Sequence, residues 1–218
     1  MDLNVIKERL ASLNTQQPQG GGGQKKNLFW KPSIGKQTVR IVPSKFNPEF
    51  PFTEMMFYYG IGQRVIASPA NWKQKDPIIE FAKQLRQSND RENWRLAKKL
   101  DPKTRIFAPV LVRGQEDEGV KLWQFGKEIY QTFLNMAADE EIGDYTDMLE
   151  GRDIKLTTVG PEVTGKPYNK TKATVSLTVL PIAVDKDQVQ KYLIEQADSF
   201  KVFNQYACDK IYGFLQCY

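Results

Sequence analysis

The feature that most constrains this chain is a series of short β-branched and aromatic runs, interrupted by helical segments and Gly-rich connections. Residues 38–42 read Thr-Val-Arg-Ile-Val and end at Pro43-Ser44-Lys45, while 53–59 is crowded with Met55, Met56, Phe57, Tyr58 and Tyr59. Residues 64–67 can pair with that second run across Gly60 and Gly62 as a hairpin. The clearest strands are 105–112 and 120–125, connected through Gly114 and Gly119, and alternation puts Lys121, Trp123 and Phe125 on one face of the latter. Later strands are 153–159 and 173–180, joined by the loop 160–172. Asp76 before Pro77 caps a helix whose apolar side is Ile78, Ile79, Phe81, Ala82 and Leu85. A second helix, 90–100, sets Trp94, Leu96 and Ala97 in a basic shell and stops at Asp101-Pro102; a third opens at Gly126-Lys127 and runs through Ala138. Two more, 185–197 and 199–215, close the chain. This order predicts an α+β fold with a small β-barrel core and inserted and flanking helices, and excludes a parallel βαβ sheet.

The first residues are organised differently. Leu3, Ile6, Leu10 and Leu13 fall at helical spacing within 1–14, and 15–27, with Pro18 and Gly20 to Gly23, form a flexible linker. The folded core is then 28–218. So short a helix is marginal alone in water. It either frays or docks on a partner such as a neighbouring copy of the chain.

Charge and composition remove whole classes of function. There is no histidine, so His-based acid–base catalysis and imidazole zinc sites are excluded, and two thiols, Cys208 and Cys217, cannot build a cysteine cage. Two cysteines in 218 residues read as reduced thiols, and with no secretory pattern at Met1-Asp2-Leu3-Asn4 and no long apolar run the chain is expected to be soluble and intracellular. The net charge of +5 hides a division: residues 1–113 carry 20 Lys/Arg against 9 Asp/Glu, and 114–218 carry 11 against 17. Either a polyanion-binding side faces an acidic side, or both are solvated faces without a partner.

Aromatics and cations are interleaved at Trp72-Lys73, Trp94-Arg95, Arg105 with Phe107, Lys121 with Trp123, and Lys166 with Tyr168. Unpaired nucleic acid needs both supports, cations that follow phosphates and flat rings on which bases stack. Phe107, Trp94 and Phe125 suit a core as well as a binding surface; Trp123 and Tyr168 are expected to be exposed. No GxxxxGK[ST] phosphate loop occurs. The acidic window 139–153 holds enough carboxylates for Mg²⁺, which keeps a metal-dependent nuclease as an alternative, but close spacing in sequence favours a solvated acidic face. An RNA-binding regulator is the other alternative, since nothing in these residues selects against a 2′-hydroxyl.

The order of several segments resembles the single-stranded DNA-binding, or helix-destabilising, protein of T-even-type bacteriophages and their marine relatives. The matching residues are Trp30-Lys31, 39–45, 100–112, 119–130 with Trp123, Phe125, Gly126 and Lys127, Glu150-Gly151, and 165–169 with Tyr168. The resemblance implies an OB-fold core that coats single-stranded DNA in replication, recombination and repair, in the cytoplasm of the infected bacterial host. It also implies self-association along the strand through the N-terminal segment, with Lys7 and Arg9 as contacts. By the family pattern Arg40, Lys45, Arg105, Phe107, Trp123, Lys127 and Tyr168 line the DNA cleft; local chemistry adds Tyr58, Tyr59, Arg64, Trp72, Lys98, Lys99 and Lys103. Well-known members hold zinc through a His and three Cys. Here the equivalent stretch is Asp76-Pro77-Ile78-Ile79, so no metal or other cofactor is expected, and packing of Ile78, Ile79 and Phe81 is expected to brace the region instead. Family partners also include replication and recombination proteins, recruited through an acidic tail that the residues up to Tyr218 do not contain.

Overall fold

The computed structural model describes residues 28–61, 65–88 and 90–204. Eight strands, β1 Phe29–Trp30, β2 Gly35–Ile41, β3 Thr53–Tyr58, β4 Ile66–Ala67, β5 Lys103–Val112, β6 Lys121–Phe125, β7 Arg152–Val159 and β8 Lys170–Val179, form one sheet. Helices α1 Pro77–Gln87 and α2 Arg91–Lys99 are inserted between β4 and β5, and α3 Lys127–Ala137 follows β6. The short α4, Pro161–Thr164, lies between β7 and β8, and α5 Lys186–Ile194 and α6 Ser199–Asn204 come last. The N-terminal segment with Lys7 and Arg9, the linker, Arg64 and both cysteines lie outside the described residues.

The expected α+β class is what the strands and helices build. The sheet path runs β1-β6-β5-β2-β7-β8, with β3 pairing β5 and β4 pairing β3. Every pairing is antiparallel except β1 on β6. The barrel expected from the sequence is not found: the sheet is open, and among the described residues no pairing joins β8 to β1. The hairpin across Gly60 is present, with Phe57 opposite Ala67 and Tyr58 opposite Ile66.

Burial follows from β5. Its residues from Ile106 to Val112 are buried without alternation, because both faces of this strand are covered. On one face Ile106, Ala108 and Val110 meet Val39 and Ile41 of β2, Trp123 and Phe125 of β6, Ile154 and Leu156 of β7, and Phe133 of α3. Phe107 and Leu111 point the other way, into two smaller clusters. One is formed with Met55, Phe57 and Ala67; the other with Val42, Ile182 and Tyr192.

A buried ion triad fastens the far side. Arg40 on β2 is 0% exposed. Its Nη1 donates to Asp153 Oδ1 at 3.3 Å, and its Nη2 to the carbonyls of Asp147 at 3.0 Å and Leu180 at 2.6 Å. Arg113 donates to the same carboxylate from Nε and from Nη2, the latter at 2.8 Å. Burial lowers the pKa of the Arg40 guanidinium, and Asp153 opposes that shift.

Candidate nucleic-acid interface

The register of β3 on β5 sets Met55 opposite Arg105 and Phe57 opposite Lys103. Facing residues of an antiparallel pair project from the same side. Two cations therefore emerge beside the apolar cluster of Met55, Phe57, Ala67 and Phe107, on the face away from the main core. Tyr59, just past the end of β3, packs half-buried on this cluster. Arg105 Nε donates to its hydroxyl at 3.0 Å, while Arg105 Cζ and Lys103 Nζ lie 5.3 and 5.8 Å from its ring centroid. Each cation–π contact contributes about 0.5–1 kcal/mol where solvent is close. Together with the hydrogen bond they hold the ring in one orientation.

Trp72 is brought to the same cluster by a short 3₁₀ turn, Pro69–Trp72. Ser68 caps the turn through Ala70 N. Asn71 then clamps it to β3 with two bonds, accepting from Met56 N at 2.8 Å and donating to Met56 O at 2.9 Å. The local sequence Ser-Pro-Ala-Asn-Trp thus supplies a cap, a fixed φ, a clamp and a ring in consecutive residues.

The helical insertion hangs from one carboxylate. Asp76 Oδ1 accepts from Ile78 N at 3.0 Å and Ile79 N at 3.2 Å, capping α1, and Oδ2 accepts from Tyr58 Oη at 2.8 Å and from Ser68 Oγ. Burial first, and this carboxylate second, push the Tyr58 hydroxyl far above the usual phenol pKa. Arg86 of α1 reaches Asp101 at 2.5 Å, tying the insertion to the entrance of β5. α2 exposes Arg91, Arg95, Lys98 and Lys99, and Lys98 Nζ stands 5.2 Å over the ring of Trp94, which is 51% exposed. The last turn of α2 leads through 100–102 directly into Lys103 and Arg105, so the chain itself joins the basic helix end to the tyrosine platform. On the other side of Arg105 lies Gly126; a Cβ there would meet Arg105 Nη1 at 3.5 Å, and exposed Lys127 follows it.

The expected site residues therefore divide. Tyr59, Trp72, Lys103, Arg105 and Lys127 fall on or beside one surface, and Lys98 and Lys99 are exposed at the end of α2, which leads into it. Lys45 is exposed elsewhere, its Nζ donating to Ile194 O at 3.2 Å. Tyr168, 57% exposed under Lys166, stands on the β7–β8 connection, and β8 is the third strand along from β5. Four of the expected site residues need correction. Trp123, expected outside, is 1% exposed, because the face it shares with Lys121 and Phe125 is the core face; Lys121 keeps its charge at the rim by pairing with Glu118. Arg40 is locked in the ion triad, Tyr58 is spent on Asp76, and Phe107 is sealed by Phe57 and by Phe203 of α6, each ring centroid within 6 Å. None of the four reaches a surface ligand. Phe81, expected to brace the insertion, is 45% exposed, while Ile78 is buried.

Sequence reasoning left Trp94 undecided and did not select it; the signal that picks it out is Lys98 one helical turn later. In the acidic window three aspartates turn to their own backbone. Asp139 accepts from Glu141 N, Asp144 from Thr146 N, and Asp147 from Leu149 N and Glu150 N. The last two bonds, that of Glu150 foremost, hold the Asp147 carboxyl below the usual range. Among the described residues no three metal-ligating side chains converge, and no helix is long and apolar enough to cross a membrane.

Comparison with curated proteins finds no match. The family described as gp32 DNA binding protein like matches residues 34–213, a span that contains both the aromatic–cation surface and the helical insertion. The chain belongs to this gp32-like family of DNA-binding proteins.

Proposed function

We propose that the protein binds single-stranded DNA without sequence selection, coating it cooperatively during phage replication, recombination and repair in the host cytoplasm. The observation that supports this reading is the Tyr59 ring, held by Arg105 and Lys103 beside Trp72 on one face. A fixed ring accepts the face of any unpaired base, contributing about 1–3 kcal/mol per base, and cations beside it take the flanking phosphates. A duplex offers no free base face, so this chemistry favours the single strand. Self-association through residues 1–14, with Lys7 and Arg9, belongs to the same proposal and is supported by the apolar spacing of that segment. Lys45 and Tyr168 are proposed as peripheral contacts.

Titration of labelled single-stranded DNA in the presence of Mg²⁺ tests this. Binding is expected without cleavage, and with about five phosphates neutralised the plot of log affinity against log salt should slope at roughly −3.5. A flat salt response, or shortening of the oligonucleotide, overturns the reading. An equal affinity for RNA of the same length would widen it to single strands of either sugar.

A further inference from the structure

The outward face of β2, β7 and β8 carries charge that the aromatic platform does not use. The register sets Lys36 opposite Thr157 and Thr157 opposite Lys172, and in the next row Thr38 opposite Lys155 and Lys155 opposite Thr174. The reverse face of the same strands is core, with Val39, Ile154 and Leu156. One side of a three-stranded ribbon thus presents lysines and threonines in two rows. Lys36 and Lys172 stand two strand spacings apart, about 10 Å, and Lys155 is about 7 Å further along. All three lysines are exposed, and among the described residues none has an ion-pair partner. At the start of β8, Lys170 adds a fourth cation, 4.0 Å from Glu128 in an exposed pair.

The surface is concave. A groove of about 600 Å³ runs over it, and Lys36, Thr38, Lys155, Thr157, Arg113 and Gln115 are among the residues that line it. The carboxylate next along the strand, Asp153, is already shared by Arg40 and Arg113, so these three groups leave one positive charge rather than a negative one. Among the described residues no aromatic side chain lines the groove. Cations and hydroxyls without a ring match oxyanions and offer nothing to a base.

We propose that this groove, together with Lys172 beside it on the same sheet face, is a second nucleic-acid contact, which holds a phosphodiester backbone through Lys36, Lys155 and Lys172 and leaves the bases free. It rests on the reading that the chain binds DNA, and it assigns a task the tyrosine platform does not perform: a phosphate-only grip, steeply salt-dependent and indifferent to stacking. A single strand and an adjoining duplex present the same phosphates to the lysines, and the two arms of the test tell them apart.

The test is the triple variant Lys36→Gln/Lys155→Gln/Lys172→Gln, compared with Lys36→Arg/Lys155→Arg/Lys172→Arg. Both are titrated against a long oligothymidylate and a blunt DNA duplex over a range of salt. With the glutamine variant the salt slope is expected to become shallower by about 2, from roughly 0.7 per lost phosphate contact, while the arginine variant keeps the wild-type slope. Loss on oligothymidylate identifies a single strand as the occupant, and loss confined to the duplex identifies the duplex. Wild-type affinity and slope in the glutamine variant on both ligands overturn the second contact but leave the tyrosine platform standing. A wild-type protein that binds neither ligand overturns both.

Discussion

Replacing Asp153 with alanine is expected to lower folding stability by about 3–5 kcal/mol, the usual consequence of removing one partner from a buried ion pair. Among the described residues the carboxylate is the only anionic side chain bonded to Arg40, which is wholly buried and otherwise holds two backbone carbonyls. Without it a guanidinium remains in low dielectric, its Nε already without a hydrogen-bond partner among the described residues. Arg113 suffers less, since about a fifth of its side chain reaches solvent. The elements released are those the triad joins: β2, β7, the loop containing Asp147, and the segment after β8 that supplies the Leu180 and Ile182 carbonyls. Urea denaturation measures the loss. A decrease below about 1 kcal/mol would mean that water reaches Arg40 and that the triad is a surface pair. The double replacement Arg40→Met/Asp153→Val should cost less than Asp153→Ala alone, because it removes the buried charge together with its partner.

Trp123→Ala is expected to cost a further 3–5 kcal/mol in its own background, the range for emptying a large aromatic site in a core. Its ring packs against Phe125 at 4.8 Å, Trp30 at 5.6 Å and Phe133 at 5.9 Å between centroids, so the space cannot close without moving β1, β6 and α3 together. DNA affinity of the folded fraction should stay within twofold of wild type. A variant with an unchanged denaturation midpoint and weakened DNA binding would instead return Trp123 to the interface.

That tryptophan shows where the sequence stops being informative. Alternation correctly groups Lys121, Trp123 and Phe125 on one face, because side chains in a strand have a period of two. It does not say which face is inside. The lysine at position 121 argued for solvent, yet a lysine buries its aliphatic stem and leaves only its ammonium at the rim, where Glu118 receives it. Arg40 failed for a related reason. Its partner lies 113 residues away, and nothing local distinguishes a strand arginine facing DNA from one facing a carboxylate.

Other parts were legible because their causes are local. Asp76 before Pro77 is a cap that can be read from two adjacent residues, and it is a cap in the fold. The β3–β4 hairpin follows from its glycines and flanking apolar residues. The basic and then aromatic entry over 100–112 is legible in the sequence, and only residues 100–102 separate α2 from β5. Closure of a barrel is the opposite case. It depends on whether strands at the two ends of the chain meet, and no periodicity within a strand encodes that; the observed sheet stays open. The basic face of β2, β7 and β8 lay between these extremes. Lys155 and Thr157 alternate plainly, but β8 begins at Lys170, three residues before the apolar pattern starts, so the sequence places Lys170 and Lys172 in the loop 160–172.

The most direct test of the interface is the affinity of a short labelled oligothymidylate for the wild type and for Tyr59→Ala. If a base stacks on this ring, the variant should bind more weakly by about 1–3 kcal/mol, roughly 5- to 150-fold, and should remain folded. An affinity equal to that of the wild type would contradict the assignment of DNA to the tyrosine platform.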